Sequence, residues 1–484
     1  MNYRFVGRIL GQVLLIEAGL LLLPLAAAAL AGESVLPFLY TALLAAALGG
    51  ALTLVKLCDR EYYAREGFVS VALSWIVISL VGALPFVLSG DIPRYVDALF
   101  EITSGFTTCG ASVVPDVETL GRGVLFWRSF SHWIGGMGVL VFMLAVMPMS
   151  EERSMHLARA EMPGPVKGKL VPRMRRTARI LYIIYIALTA LETVLLLCGG
   201  MSLFDSLVHA FGTAGTGGFG IHAASVGWYD SAYIDGVITA FMLLFGVNFN
   251  LFYLILLGSG LRALKNEELW VYVGLVLFAG LSIAANIAPL YGGFFPALRY
   301  SFFQTASIVS TTGYATADFN LWPSYSKAML LLLLISGACA GSTAGGMKIS
   351  RVVLVVKYAV YVVGKQLSPH SVRRVTLDGE RMDEATLRST CGFLALYCMT
   401  ALAAFLLLSL QGVDLETTAT SVLTCLSNVG PGLGMAGPSG SFAFWSAGAK
   451  LVLTLCMLLG RLEFYPVLML LAPGVWTGRR DRRF

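Results

Sequence analysis

Four stretches of this 484-residue chain follow one pattern. They read DALFEITSGFTTCGAS (Asp97–Ser112), DSLVHAFGTAGTGGFG (Asp205–Gly220), YSFFQTASIVSTTGYA (Tyr300–Ala315) and TTATSVLTCLSNVGPG (Thr417–Gly432). In each, an amphipathic run leads into a cluster of small and polar residues, and a glycine stands 13 positions after the first residue: Gly110, Gly218, Gly313 and Gly430. Internal repetition of this kind decides the architecture of a chain. The four stretches therefore predict four copies of one structural unit.

Each stretch lies between apolar segments long enough to cross a membrane, which takes about 20 residues. The sequence shows ten candidate spans, of which the eighth and tenth are too long for single crossings: 9–31, 36–57, 68–89, 127–147, 180–199, 233–258, 268–289, 327–364, 389–410 and 442–473. A second glycine recurs in the helix after each stretch: Gly136, Gly246, Gly346 and Gly460. The unit is therefore a helix, a re-entrant segment and a helix.

The predicted fold class is an all-α integral membrane protein with four pseudo-fourfold helix, re-entrant pore loop and helix repeats around a central pore. Each unit crosses twice, so all four share one orientation, unlike the units of inverted-repeat transporters. We predict five parts: an N-terminal two-helix transmembrane hairpin (1–66), pore repeat 1 (67–150), pore repeat 2 (151–262), pore repeat 3 with an interrupted second helix (263–364) and pore repeat 4 (365–484). Residues 1–31 also resemble a signal peptide, but a second apolar run follows almost at once, which favours a retained first helix.

Composition and charge agree with a membrane protein. Only 13% of the residues are charged and 57% are hydrophobic, whereas a soluble protein has about 25% charged residues. Most of the 34 Lys and Arg fall on the side of residue 1, so the positive-inside rule predicts cytoplasmic N and C termini. The opposite side carries excess acids, which suits a mouth that collects cations. We find neither paired carboxylates nor a nucleophile–base cluster in the sequence, so no motif indicates an enzyme.

Irregular backbone at membrane depth must be buried in protein or line a watery path, so four such segments predict a pore. Cation filters use rings of backbone carbonyls, glycine allows the backbone angles that aim them, and a preceding Thr adds a hydroxyl oxygen. The third segment, Thr311–Ala315, is similar to the potassium-channel motif TVGYG. We predict a selectivity filter of Thr107, Thr108, Cys109, Gly110, Thr216, Gly217, Gly218, Phe219, Thr311, Thr312, Gly313, Tyr314, Asn428, Val429, Gly430 and Pro431. The K⁺ ligands are predicted among these, at Thr108, Gly110, Thr216, Gly218, Thr312, Gly313, Asn428 and Gly430.

Four features together resemble the TrkH family of bacterial potassium-uptake proteins, in the Trk/Ktr/HKT superfamily of cation transporters. They are the four filter segments, the run RSFSHWIGGMG (128–138), the interrupted eighth span and Arg461. The resemblance implies channel-like K⁺ uptake across the bacterial inner membrane, with K⁺ as the transported ion and no organic cofactor. It also implies a homodimer. All four filter positions are glycine, and in this superfamily a serine at the first of them marks sodium-permeable members.

The eighth span reads LLISGACAGSTAGGMKIS (Leu333–Ser350), and so many small residues should break a helix. By resemblance this break is an intramembrane gate, and close packing against a neighbouring helix is the alternative. Arg461 lies mid-span and by resemblance faces the pore as a barrier to cations. A structural pair with Glu463 or Glu192 is the alternative there. The predicted gate residues are Gly337, Gly341, Ser342, Thr343, Gly345, Gly346, Lys348 and Arg461.

Regulation and coupling leave alternatives open. The basic segments 151–179 and 365–388 favour contact with anionic membrane lipids, whereas the resemblance implies a cytosolic TrkA-like RCK nucleotide-binding regulator. The chain has neither a placed GxGxxG nor a Walker A motif, so nucleotide control must come from such a partner, and no nucleic acid is expected. The alternative function is potassium symport coupled to protons or sodium, with Glu17, Glu192 and Glu463 as candidate titratable groups.

Overall fold

The computed structural model describes residues 1–54, 64–138, 174–368 and 374–477. Within these ranges the protein is helical apart from one two-stranded antiparallel hairpin, β1 (Thr376–Leu377) and β2 (Glu380–Arg381). Six helical stretches are long and apolar enough to span a membrane: Tyr3–Leu30, Leu36–Thr53, Arg65–Ser89, Thr177–Cys198, Glu267–Leu290 and Glu384–Ser409. The described ranges therefore form the all-α membrane protein that the sequence predicts.

The helices follow the predicted repeat. The N-terminal hairpin contains α1 (Tyr3–Leu20), α2 (Leu22–Leu30) and α3 (Leu36–Thr53). Repeat 1 contains α4 (Ala64–Gly82), α5 (Leu84–Ser89), α6 (Tyr95–Phe106) and α7 (Arg122–Gly136). Repeat 2 contains α8 (Met174–Cys198), α9 (Leu203–Gly215), α10 (Ala232–Phe245), α11 (Phe249–Leu256) and the short α12 (Gly260–Ala263). Repeat 3 contains α13 (Glu267–Ile287), α14 (Phe294–Val309), α15 (Ser324–Ser336) and α16 (Ile349–Leu367). Repeat 4 contains α17 (Glu384–Ser409), α18 (Leu415–Ser427), α19 (Ala447–Arg461), α20 (Tyr465–Leu471) and α21 (Pro473–Thr477).

The four pore helices are α6, α9, α14 and α18, and each ends one or two residues before the filter. Their starts are set by local chemistry. The Ser202 hydroxyl accepts a hydrogen bond from the Asp205 amide at 3.1 Å, and an Asp414 carboxylate oxygen accepts one from the Thr417 amide at 2.8 Å. Such N-caps satisfy amides that a helix start leaves unpaired. Each pore helix ends next to the filter and therefore directs its carbonyl end toward it.

Three of the predicted spans are broken. The eighth breaks between Ser336 and Ile349, as its glycines predict, and the tenth breaks between Arg461 and Tyr465. The prediction of one continuous sixth span is wrong, because α10 and α11 meet at an angle of 88°. The reason is tertiary. A β-carbon on Gly246 would lie 2.5 Å from the Tyr272 hydroxyl, and the Asn248 side chain caps α11. The predicted fourth span continues into 139–147, outside the described residues.

The two arms of the N-terminal hairpin, α1 and α3, pack against each other through small residues. A β-carbon on Gly11 of α1 would lie 2.8 Å from the Gly49 carbonyl oxygen of α3, and the reciprocal contact is equally short. Small residues permit such approach between membrane helices. The apolar core continues from the hairpin through α4 to pore helix α6, with Phe5, Trp75, Phe86 and Phe106 buried. The hairpin thus supports the first filter segment from outside the ring.

Candidate functional site

The four filter segments share one unusual backbone conformation. The residue two positions before each filter glycine has a left-handed φ although it carries a side chain: Thr108 at 57°, Thr216 at 56°, Thr311 at 58° and Asn428 at 54°. The glycine itself is also left-handed: Gly110 at 83°, Gly218 at 74°, Gly313 at 84° and Gly430 at 97°. Non-glycine residues rarely adopt this region, so the sequence repeat is also a repeat of strained backbone.

The filter glycines form a closed ring. A β-carbon on Gly110 would lie 1.9 Å from the Gly217 carbonyl oxygen of the next segment. The same contact runs from Gly218 to Thr312 at 2.0 Å, from Gly313 to Val429 at 2.3 Å and from Gly430 back to Cys109 at 2.7 Å. Each segment therefore touches its neighbour through the residue before the neighbour's glycine. The four filter segments surround one axis in chain order, and no side chain fits between them at the glycine positions.

All four glycines line one cavity of about 120 Å³, together with residues that follow them in the chain. The amides that follow the left-handed residues point back to the pore helices. Cys109, Gly217, Thr312 and Val429 donate to carbonyls five residues earlier, at 2.8, 2.9, 2.8 and 3.0 Å. These four amides are therefore occupied and are not available as donors inside the ring. Rings of carbonyl oxygens are suited to replacing the water shell of a cation.

Apart from the four glycines and the residues directly before them, the predicted filter residues divide into three groups. Thr108, Thr216, Thr311 and Asn428 occupy the equivalent left-handed position, so the third-segment counterpart of Thr108 is Thr311, rather than the predicted ligand Thr312. Thr107 instead donates its hydroxyl to the Thr103 carbonyl within α6, at 2.7 Å. Phe219, Tyr314 and Pro431 follow the glycines, and the phenol of Tyr314 is fully buried behind the ring.

The interrupted helix of repeat 3 places its loop, residues 337–348, against the end of the filter where the pore helices finish. The Gly345 amide donates to the Thr311 hydroxyl at 2.7 Å, and a β-carbon on Gly345 would lie 2.4 Å from the Ser427 carbonyl oxygen. The loop is closed on itself where Gly337 and Gly346, both at positive φ, approach each other. A direct hydrogen bond therefore links the predicted gate loop to a filter threonine.

A second set of contacts joins the gate loop to the break in repeat 2. Cys339 donates its amide to the Gly246 carbonyl at 3.1 Å, and Phe249 donates to the Gly341 carbonyl at 3.0 Å. One Glu268 oxygen accepts from the Ala340 amide at 2.7 Å and from the Ser350 amide at 2.9 Å. Glu268 was not predicted as a site residue, because nothing in its local sequence indicates a partner 72 positions away.

Arg461 lies at the end of α19, where three parts of the protein meet. Its guanidinium donates to the Thr343 carbonyl at 2.8 Å, to Gly135 at 2.5 Å and to Gly136 at 2.8 Å. Lys348 is also buried, and its ammonium contacts the Ala344 carbonyl within the loop. Glu463, a predicted alternative partner of Arg461, forms an ion pair with Arg351 at 2.5 Å. Two cationic side chains therefore lie at the gate loop, next to the filter.

A buried ion pair behind the first filter segment was missed by sequence reasoning. Arg128 and Glu101 approach to 2.7 Å, with side chains 1% and 0% exposed. Glu101 also accepts from the Ser112 hydroxyl at 2.9 Å and from the Val113 amide at 2.8 Å. A signal existed in the repeat, because polar residues stand nine positions before every filter glycine: Glu101, His209, Gln304 and Ser421.

His132 packs against the filter. Its ring lies 4.2 Å from the Phe219 ring, its Nδ1 is 2.8 Å from the Gly105 carbonyl, and a β-carbon on Gly217 would lie 2.2 Å from that Nδ1. Glu17 and Glu192 are buried as well, but neither belongs to the four repeated segments. Across the described ranges, His, Cys, Asp and Glu side chains form no group of three or more that is placed to hold a metal ion.

Comparisons with known proteins agree with this architecture. Residues 38–270 and 296–475 match the family model described as TrkH, cation transport protein. The Trk system potassium uptake protein TrkH of Salmonella typhimurium is 35% identical, over 98% of this chain and 100% of that protein. TrkG of Escherichia coli, also named as a Trk system potassium uptake protein, is 33% identical over 88% of this chain and 89% of its own. The crystal structure of the potassium transporter TrkH from Vibrio parahaemolyticus superposes with a TM-score of 0.88 at 30% identity, over 98% of this chain and 100% of that one.

Proposed function

Since the chain belongs to the TrkH family of cation transport proteins, we propose that it takes up potassium ions across the bacterial inner membrane through the carbonyl-lined ring. Potassium uptake is the activity printed in the names of the relatives. The chain is a multi-pass membrane protein, and the proposal adds that both termini lie in the cytoplasm. The conduction is channel-like, and the K⁺ is cargo rather than a resident cofactor.

The observation that carries this proposal is the ring contact between each filter glycine and the carbonyl of the next segment. A cation that enters such a ring exchanges water oxygens for carbonyl oxygens. The four pore helices direct their partially negative ends toward the same point. Anions are disfavoured by both features. The four filter glycines, which by resemblance favour potassium over sodium, are also the positions where the ring leaves no space for a β-carbon.

Gating is proposed to depend on the loop Gly337–Lys348 and on Arg461. The loop is tied to the filter through Thr311 and to Arg461 through Thr343. An Arg at mid-bilayer costs about 2.5–3.5 kcal/mol on insertion scales, and its three carbonyl bonds offset part of this. In this position the guanidinium repels cations that leave the filter, and movement of the loop opens the path.

The test of the filter compares Gly110→Ser with the parent in proteoliposomes, by uptake of rubidium and sodium from opposite gradients. The added β-carbon collides with the Gly217 carbonyl, so we expect lower rubidium flux and a lower preference over sodium. Gly236→Ser is the matched control, because Gly236 is exposed on α10 and nothing lies within 4 Å of its β-carbon position. Unchanged flux and selectivity in folded Gly110→Ser would show that the ring is not the filter.

Coupled symport with protons or sodium is the alternative. It requires a titratable group on the ion path, and the candidates Glu17, Glu192 and Glu463 all lie outside the four repeated segments. Reversal potentials distinguish the two functions. A passive path follows the potassium gradient alone, whereas coupling to protons shifts the potential with pH at fixed potassium.

The assembly is also a proposal. By resemblance, two copies of the chain form a homodimer, which acts with a cytosolic TrkA-like RCK nucleotide-binding regulator and contacts membrane lipids. The basic segments 151–179 and 365–388 are the lipid-facing candidates named above, and of these residues 151–173 and 369–373 lie outside the described residues. Light scattering of the detergent-purified protein tests the dimer. Nucleotide-dependent flux with and without the purified regulator tests the partner, and flux that ignores the regulator would contradict it.

A further inference from the structure

The pore helices carry a hydroxyl group that anchors the far end of the filter in two of the four repeats. In repeat 3 the Ser307 hydroxyl donates to the Tyr314 carbonyl at 2.6 Å. In repeat 4 the Thr424 hydroxyl donates to the Pro431 carbonyl at 3.2 Å. The geometry is equivalent, because both donors stand six residues before the filter glycine and both acceptors follow it directly. The bond ties the end of the filter strand to its own pore helix.

Repeat 2 has no side chain at the position that would make this hydrogen bond. The residue six positions before Gly218 is Gly212, and the carbonyl to be anchored belongs to Phe219. The missing hydroxyl is replaced from the next repeat. Tyr314 has its phenol oxygen 3.3 Å from the Phe219 carbonyl and 3.1 Å from the His209 carbonyl, so one proton is shared between two acceptors.

The replacement is also steric. A β-carbon built on Gly212 would lie 2.1 Å from the Tyr314 phenol oxygen. The phenol therefore occupies the volume where a side chain at position 212 would begin. The Tyr314 ring is fully buried and stacks on the His209 ring, with centroids 5.6 Å apart and planes 28° apart. Glycine at 212 and tyrosine at 314 are thus two halves of one arrangement, one from each of two adjacent repeats.

We propose that Tyr314 is a positioning residue for the filter, whose hydroxyl replaces across the repeat boundary the anchoring hydroxyl that Gly212 lacks. Its anchor holds the peptide after Gly218, in the same strand that contacts Thr312 in the ring. The hydrogen bond from Tyr314 therefore joins the filter segment of repeat 3 to the filter segment of repeat 2. Ser129 donates to the same Phe219 carbonyl at 3.3 Å, so the anchored end has two donors, of which Tyr314 is the one from the neighbouring filter segment. The inference rests on the proposed function of the ring as a cation filter.

The experiment is a rescue series on the full chain in proteoliposomes, with the rubidium-to-sodium permeability ratio as the readout. Tyr314→Phe keeps the ring and its stacking but removes the hydroxyl. We expect the ratio to fall about two- to tenfold, the range that one neutral hydrogen bond supplies. Adding Gly212→Ser to Tyr314→Phe restores a hydroxyl on the pore helix. The β-carbon then lies 3.0 Å from the ring carbon Cζ, so the phenylalanine ring must shift by a few tenths of an ångström. The Phe219 carbonyl oxygen lies 3.3 Å from the same β-carbon, within reach of the new hydroxyl, and we expect most of the parent ratio to return.

Two controls make the series decisive. Tyr233→Phe removes a phenol that donates to the Leu195 carbonyl at 3.1 Å on the exposed side of α10, and its ratio should equal that of the parent. Gly212→Ser alone collides with the Tyr314 phenol and should lower the ratio. A parent ratio in Tyr314→Phe, or a double variant no better than Tyr314→Phe, would overturn the inference. A parent that does not discriminate between the ions would instead refute the proposed filter.

Discussion

Replacing Arg461 with alanine should raise the ion flux. The guanidinium makes one of its three hydrogen bonds to Thr343 in the gate loop and two to Gly135 and Gly136 at the end of α7. A hydrogen bond to a charged group contributes about 1.5–3 kcal/mol. Loss of the Thr343 bond alone therefore favours movement of the loop by about ten- to a hundredfold, since about 1.4 kcal/mol is a factor of ten. Loss of the positive charge removes a barrier to cations in addition.

The assay is rubidium uptake into proteoliposomes that contain equal amounts of parent, Arg461→Ala, Arg461→Gln and Arg461→Lys. Arg461→Lys keeps the charge but loses the planar fork that reaches Thr343, Gly135 and Gly136 together, so its flux should lie between those of the parent and Arg461→Ala. Arg461→Gln keeps a donor without the charge, so it separates the tether from the electrostatic barrier. If Arg461→Ala elutes as a folded protein and its flux equals or falls below that of the parent, both roles of Arg461 are refuted.

Two further predictions concern the supports of the filter and the gate. Thr311→Val removes the acceptor of the Gly345 amide, and because an unpaired buried amide costs about 1–3 kcal/mol, basal flux should rise. Thr311→Ser keeps the hydroxyl and should have the flux of the parent. Equal flux in the two variants would contradict the link between the filter and the gate loop. Glu101→Gln leaves Arg128 without its buried counter-charge, and removing one partner of a buried pair costs about 3–5 kcal/mol. The midpoint temperature of thermal unfolding, measured by fluorescence-detected size-exclusion chromatography, should therefore fall. The control Glu384→Gln breaks an exposed pair with Arg388 and should cost less than about 1 kcal/mol, and equal shifts in the two variants would contradict the buried role of Glu101.

The fold and the ring were accessible from sequence because their signals are local. A glycine at constant spacing in four segments indicates a backbone conformation that favours glycine. In the structure each of these four glycines has a positive φ. The break in the eighth span was predictable for the same reason, since clustered glycines destabilise any helix. The break between α10 and α11 was not predicted. Gly246 and Asn248 stand at this break, but the close approach of the Tyr272 hydroxyl to Gly246 comes from another repeat and cannot be read from the local sequence.

The sequence by itself determined that this is a membrane protein of four like-oriented repeats, with a glycine at the centre of each. Periodicity and hydropathy are properties of residues close together in the sequence, so both can be read without knowing how the helices pack. Only the tertiary structure decided which atoms meet: Gly110 with the Gly217 carbonyl, Arg128 with Glu101 and the Tyr314 phenol with the space at Gly212. These contacts join residues far apart in the chain. A buried charge or hydroxyl is stable only beside a partner, and the packing of the four repeats, rather than local sequence, supplies that partner.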